Sequence, residues 1–312
     1  MKIFRDSDDQ RVAQSVVTIG AFDGVHLGHQ TVISDVIGRA QNREVSSVVV
    51  TFDVHPATVV RPESAPKLLT RLPRKLELLD ELGVDVVYVV EFNLERSSAT
   101  AEEFVDEVFV DRLGAKEILV GSDFNFGKGR EGTVETLTAQ GRIKGFSVDG
   151  LELIRSNEAA TEPVSSTAIR RALVGGDVSA AGQMLGRRFT IRGTVVQGDQ
   201  RGRTIGFPTA NVMLPDDMAR PANGVYACVY VTPDGLQRPA AVNVGVRPTF
   251  YESADAAVLE AHLLDFDGDL YGQDAQVEFV SFLRSERRFN GIDELKAQLQ
   301  RDTADTREML SN

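Results

Sequence analysis

The chain has four histidines, and two of them stand three residues apart. His26 and His29 fall in "GAFDGVHLGHQ", Gly20–Gln30, as H-x-G-H with glycines at 20, 24 and 28. The apolar run "SVVTIG" precedes them and a helical pattern follows. Glycines between a strand and a helix let backbone N–H groups approach a phosphate, which the helix N-terminus also attracts. Imidazoles at that point donate hydrogen bonds as charge builds on the phosphate. Gly20, Phe22, Asp23, His26, Gly28 and His29 are the candidate residues of this cradle. A surface turn or a metal pair is the competing explanation. A zinc pair needs further ligands, and the chain offers only His55, His262 and the single cysteine, Cys228.

Two other stretches have the composition of a ligand site. "VSSTAIR", Val164–Arg170, places Ser165, Ser166 and Thr167 where they cap a helix, with Arg170 one turn in. "GSDFNFGKGREG", Gly121–Gly132, brings Asp123, Phe124, Asn125 and Lys128 into a glycine-rich loop after an apolar run. One of Phe124 and Phe126 is expected in the core.

A separate chemistry is written in "VVQGDQRGRTIGFPTANV", Val195–Val212. Gly198, Gly202, Arg203 and Gly206 suit a loop that wraps phosphates. The Thr209 hydroxyl and the Asn211 amide oxygen are hard ligands suited to Mg2+. "NVGVRPTF" is a polar, loop-like stretch that begins at Asn243. "VLEAHLLDF" puts Glu260 in an apolar strand, on the alternation face of Val258 and Leu264. An acid there is either on a solvated edge or a general base for an alcohol.

These residues need positioning elements. In the first half short apolar runs alternate with helical patterns: strands at Ser15–Gly20, Ser46–Phe52, Val84–Phe92 and Ala115–Gly121, and another near Phe146–Ile154. Between them "RKLELLDELG" is helical, Thr100 and Glu103 form a capping box, and a helix lies near Val134–Gln140. That rhythm implies an α/β unit, a parallel sheet covered by helices, with ligands at the carboxyl ends of the strands. Beyond a boundary near Arg187 the period becomes two. Short strands with turn signals then imply a small antiparallel β-barrel. The tail is an amphipathic helix with Ile292, Leu295, Leu299 and Leu310 on one face. The expected domains are 1–186 and 187–312.

The 312 residues carry 34 Lys and Arg against 46 Asp and Glu, a formal charge of -12. That argues against a nucleic-acid partner, which needs clustered cations. No apolar run reaches membrane-spanning length and the N-terminus lacks a signal-peptide core, so no membrane partner is expected and the cytoplasm is the default. One cysteine permits no internal disulfide, and Cys228 in "VYACVYV" is expected to be buried. A weak homo-oligomer is left open.

The first motif resembles the H-x-G-H signature of the nucleotidyltransferase superfamily, with "VSSTAIR" as its second phosphate-binding element. Such a site suits adenylyl transfer, whose attacker, a phosphate, needs positioning and charge neutralisation rather than an activated nucleophile. The ordered series "GAFDGVHLGHQ", "TFDVHP", "GSDFNFG", "VSSTAIR", "RGRTIGFPTAN", "NVGVRPTF" and Glu260 is similar to the prokaryotic bifunctional riboflavin kinase/FAD synthetase (FMN adenylyltransferase) family. The resemblance implies a Rossmann-like nucleotidyltransferase domain followed by a riboflavin kinase barrel. It implies ATP as co-substrate, Mg2+, and riboflavin, FMN and FAD as substrates and products. By motif, His26, His29 and Arg170 would serve the first reaction with Ser165, Ser166 and Thr167. Asp123, Phe124 and Asn125 would lie on the flavin side. Gly198, Gly202, Arg203, Gly206, Thr209 and Asn211 would bind ATP in the kinase, the last two through the metal. Asn243, Glu260 and Arg307 would meet its flavin, with Glu260 as base. "TFDVHP" departs from the family at Val54, where proline is usual. The alternatives are a single-activity nucleotidyltransferase with an accessory barrel, and a non-catalytic flavin- or nucleotide-responsive protein. The latter would be expected to have lost the histidines or Glu260.

Overall fold

A computed structural model describes residues 1–152, 163–198, 201–246 and 257–311. By its internal contacts the chain divides into two units, Met1–Ser166 and Thr167–Asn312.

In the first unit β1 (Lys2–Arg5), β2 (Ser15–Ile19), β3 (Ser46–Phe52), β4 (Val86–Val90), β5 (Ala115–Gly121) and β6 (Ser147–Leu151) form one sheet. Its order is β1-β4-β3-β2-β5-β6 and every neighbouring pair is parallel. β2 and β4 are buried at every residue, the reason their runs are continuously apolar. The helices are α1 (Leu27–Arg43), α2 (Pro56–Val60), α3 (Leu72–Glu81), α4 (Ala101–Phe104) and α5 (Val134–Lys144). α4 continues as a π-helical segment to Arg112. Its expected capping box is present: Glu103 N–H donates to Thr100 Oγ1 (3.2 Å) and Thr100 N–H to Glu103 Oε2 (2.8 Å). One core cluster gathers Phe104, Phe109, Leu113 and Leu137 on the sheet; another gathers Phe22, Ile33, Leu78 and Leu79. β3 and β4 are added on one side of β2, β5 and β6 on the other. The switch point of the sheet therefore lies between β2 and β5.

The second unit begins with α6 (Ser166–Val174, its first residue counted with the first unit) and α7 (Val178–Leu185). Then come β7 (Phe189–Val196), the single turn α8 (Arg201–Thr204), β8 (Ala210–Met213), β9 (Gly224–Val231), β10 (Gln237–Val246), β11 (Ala257–Leu263), β12 (Asp274–Arg284) and α9 (Ile292–Ser311). The strands close into an antiparallel barrel of order β10-β11-β8-β7-β12-β9. Phe189, Ile191, Tyr226, Tyr230, Phe279 and the expected Cys228 are buried in it, and burial pushes the Cys228 thiol up. The contact division falls before α6 rather than near Arg187 because these helices belong with the barrel. Ala222 N–H donates to Leu173 O at 2.9 Å, and Gly176 packs against Tyr226.

Three local expectations change. The charged N-terminal segment contains β1, an edge strand in which only Phe4 is buried. Ala210 and Asn211, taken with a glycine-rich loop, open β8, and Asn243 lies within β10 rather than in a loop. The buried residues of α9 are Gln298, Asp302 and Thr306, while Ile292 is exposed. The polar stripe is buried because Asp302 takes both arms of the Arg284 guanidinium, at 2.8 and 2.7 Å. The end of the strand expected to reach Ile154, the loop residues Asp199 and Gln200, and residues 247–256 of "NVGVRPTF" and "YESADAAV" lie outside the described residues.

Candidate active sites

In the first unit β2 ends at Ile19 and α1 starts at Leu27, so residues 20–26 form the loop beside the switch point. His26 is the N-cap of α1, and its Nδ1 accepts from His29 N–H at 3.3 Å. That bond occupies the Nδ1 lone pair, so a neutral His26 carries its proton on Nε2. The His29 ring stacks on that of His26, centroids 3.5 Å apart, and meets the edge of Phe22 at 5.1 Å. Burial, then the neighbouring His26, then Lys75, hold His29 well below its ordinary pKa, so it is neutral near pH 7. Its Nδ1 is buried with no hydrogen-bond partner among the described residues. Gly28 sits close to the His26 ring: a Cβ there would lie 3.3 Å from it.

The loop is strained and tied down. Phe22 and Val25 both hold positive φ, 46° and 40°, a cost that surrounding contacts have to offset. Asp23 supplies some of them. Its buried carboxylate accepts from Leu69 N–H at 2.9 Å and Thr70 N–H at 3.0 Å. Asp23 thus anchors a neighbouring segment. Gln30 Nε2 donates to Val25 O (2.8 Å), and Ser166 Oγ donates to Asp23 O (2.8 Å). Ser166 and the preceding Ser165 are thereby brought to this loop; Thr167 and Arg170 follow on α6, where Ile169 and Leu173 are the buried residues.

Across the switch point the loop after β5 carries Asp123, Phe124 and Asn125. Phe126 is the buried aromatic, stacked on Phe124 with centroids 5.3 Å apart. Asn125 Nδ2 donates to Asp123 O at 2.7 Å, and Asp123 is exposed.

In the barrel, register assembles the second site. Asn211 on β8 pairs with Glu260 on β11, Glu260 with Asn243 on β10, Asn243 with Val225 on β9, and Val225 with Arg284 on β12. Directly paired residues share a face, so one row runs Asn211–Glu260–Asn243–Val225–Arg284. Leu259, Ala261 and Leu263, on the alternate face of β11, are buried inside the barrel. Glu260 therefore stands on the outer face, half-buried. It lines a cavity with Thr209, Asn243, His262, Arg284 and residues of α9 that include Leu295 and Leu299. The phosphate-loop candidates fold next to it. Phe207 N–H donates to Gly202 O at 2.9 Å, and a Cβ on Gly202 would collide with the Phe207 carbonyl. His262 Nδ1 lies 2.8 Å from Pro208 O and so carries the proton that fastens this loop. Gly198, Arg203 and Gly206 flank the same turn, with Arg203 exposed. Arg307 does not line the cavity; it pairs with Asp265 at 2.7 Å on the surface.

Comparison with known proteins also separates the two halves, with residues 169–184 in neither match. The FAD synthetase family profile matches residues 8–168 and the riboflavin kinase profile residues 185–310. A bifunctional riboflavin kinase/FMN adenylyltransferase of Listeria monocytogenes is 39% identical over 304 residues, 96% of this chain and 94% of that protein. The Escherichia coli K12 protein of the same description is 40% identical over 293 residues, 94% of this chain and 92% of that one. The chain belongs to the bifunctional riboflavin kinase/FMN adenylyltransferase family. A crystal structure described as a macrolide-efflux protein from Streptococcus pneumoniae has the same fold, with TM-score 0.87 and 31% identity over 98% of this chain and 99% of that one. Among the described residues of the present chain no helix is long and apolar enough to cross a membrane.

Membership in this family gives the two sites an order along the chain but leaves several of their residues unexplained. Sequence reasoning did not single out Lys75, Arg284 or Asp302. Lys75 had a signal: it sits on the apolar stripe of α3 with Leu78, Leu79 and Leu82, where a lysine has no solvent to reach. It is buried, and its Nζ donates to Ala21 O (2.9 Å), Thr51 Oγ1 (3.0 Å) and Phe52 O (3.3 Å). Arg284 and Asp302 had none, because their partnership joins β12 to α9 through space.

Proposed function

We propose that the barrel transfers the γ-phosphoryl group of ATP to the ribityl 5′-hydroxyl of riboflavin, and that the first unit transfers AMP from a second ATP to the resulting FMN. The observation that carries the reading is Glu260 at the cavity beside Asn243, with Asn211 as its register partner on the other side. An accessory barrel has no use for a carboxylate flanked by two amides beneath a helix.

In the barrel Glu260 takes the hydroxyl proton as the new O–P bond forms and the β,γ-bridge breaks to release ADP. The folded turn from Gly202 to Thr209 wraps the phosphates. Among the described residues no group of three or more His, Cys, Asp or Glu stands together as a metal cage. The donors that fit Mg2+ are the hard oxygens of Thr209 and Asn211, beside the place the phosphates occupy. Bound there, Mg2+ would supply charge neutralisation on the transferring group.

In the first unit the FMN phosphate is already an anion at neutral pH and attacks the α-phosphorus of ATP. The bond to the β-phosphate breaks and pyrophosphate leaves. His26 donates from Nε2, neutral His29 donates or accepts without adding charge, and the positive end of the α1 dipole favours the phosphates. Ser165, Ser166, Thr167 and Arg170 extend that phosphate site. Asp123, Phe124 and Asn125 border the flavin side, and Arg307 approaches the kinase flavin only by leaving Asp265. Both reactions consume ATP, which supports a cytoplasmic location, and the charge of -12 speaks against a nucleic-acid partner.

The test is to incubate the protein with riboflavin, ATP and Mg2+ and to separate the flavins. FMN and then FAD are expected. If neither forms, the reading fails.

A further inference from the structure

Lys75 is a buried ammonium that spends its three protons inside the protein. It reaches from α3 to the loop after β2, through Ala21 O, and to the end of β3, through Thr51 Oγ1 and Phe52 O. Thr51 Oγ1 itself lies 3.3 Å from Ala21 O. Those contacts converge one residue before Phe22, where the strained part of the histidine loop begins. A lysine whose protons are all engaged by protein oxygens does not need a phosphate to be satisfied. Its remaining effect on the site is a fixed loop and a fixed charge.

We propose that Lys75 is a positioning residue for adenylyl transfer: its ammonium clamps the Ala21 end of the histidine loop to β3 and holds a buried positive charge behind His29. The proposal rests on the adenylyl-transfer reading of this unit. The groups that act on Lys75 are Asp23 from the β2 loop and Asp53 from the β3 loop; His26 and Lys75 act on His29 from α1 and α3. Desolvation brings the Lys75 pKa down to about 8, with the two aspartates opposing it. The ammonium therefore exists below that pH and is lost above it. While it exists it disfavours imidazolium at His29, which keeps the ring neutral on the acid side.

A structural lysine and a charged positioning lysine predict different pH behaviour. The readout is kcat/KM for conversion of supplied FMN to FAD, on both sides of pH 8, with conversion of riboflavin to FMN measured in the same preparation. For the wild type we expect FAD formation to fall as pH rises through about 8, with no matching fall in the kinase step. Lys75→Met is expected to lower FAD formation by about 100-fold, the scale of a misplaced reacting group, to remove the limb near pH 8 and to move the acid limb to higher pH. The kinase rate should not change. Asp53→Asn leaves Lys75 in place and keeps an oxygen for the Val54 and Phe92 N–H groups that Asp53 Oδ1 accepts. It is expected to move the alkaline limb to lower pH, and it carries the test if Lys75→Met does not fold. FAD formation by Lys75→Met equal to wild type, or loss of rate with an unmoved pH profile, overturns the proposal. So does an unmoved limb in Asp53→Asn. A wild-type protein that makes no FAD from FMN overturns the adenylyl-transfer reading instead.

Discussion

A carboxylate between Leu259 and Ala261 costs β11 an apolar neighbour on the cavity side, and the cost is useful only if the carboxylate meets something there. Glu260 stands between Asn211 and Asn243 in register, so the residues beside it on its face of the sheet are amides. Glu260→Gln keeps the shape and removes the base. FMN formation should fall by about 100-fold or more, while FMN supplied from outside is still converted to FAD; equal loss of both steps would refute the assignment. The histidine pair makes the mirror case. His29 is stacked on His26 and half-buried, so His29→Ala removes a ring from the phosphate side of the loop and leaves the barrel untouched. FAD formation should drop by about 100-fold, as for loss of one preorganised donor, with normal FMN yield. A normal FAD yield from this variant would remove His29 from its role.

At the scale of elements, α9 shows where sequence pattern and structure part. Its leucines imply an apolar seam, yet Asp302 and Thr306 are among its least exposed residues. Leu295 and Leu299, expected on one face with Ile292 and Leu310, line the kinase cavity, while Ile292 is exposed. The partner that decides the orientation, Arg284, is far away in sequence and invisible to any periodicity. Asp302→Ala would strand that guanidinium, and breaking a buried pair of this kind costs about 3–5 kcal/mol. Thermal unfolding should show the loss, and FMN formation should weaken because α9 lines the kinase cavity. A variant as stable as the wild type would show that the helix is held by other means. The strands buried on both faces, β2 to β5, were legible because nothing competes with a continuous apolar run. β1 and β8 were not, since each has only four residues and β1 buries one of them. The histidine loop, Thr209, Asn211 and Glu260 were legible as scarce polar types in improbable places; Lys75 was hidden among leucines.

For the whole molecule the question is how two reactions share one chain. The kinase residues from Gly198 to Glu260 all belong to Thr167–Asn312, and His26 and His29 to Met1–Ser166. α6 carries Thr167 and Arg170 yet packs with the barrel, so the short motif from Val164 to Arg170 crosses the division of contacts. A cut near Arg187 would part α7 from β7 and β12, on which it packs, so the activities are better separated by substitution than by truncation. Glu260→Gln retains only the second step and His29→Ala only the first. Neither should convert riboflavin to FAD alone. FMN is a soluble dianion at neutral pH, and a protein with a formal charge of -12 has no long-range attraction with which to retain it. Mixed in equal amounts with riboflavin, ATP and Mg2+, the two variants should therefore make FAD after a lag in which free FMN accumulates. FAD without accumulated FMN, or FMN that is never consumed, would mean that the intermediate does not travel through solution.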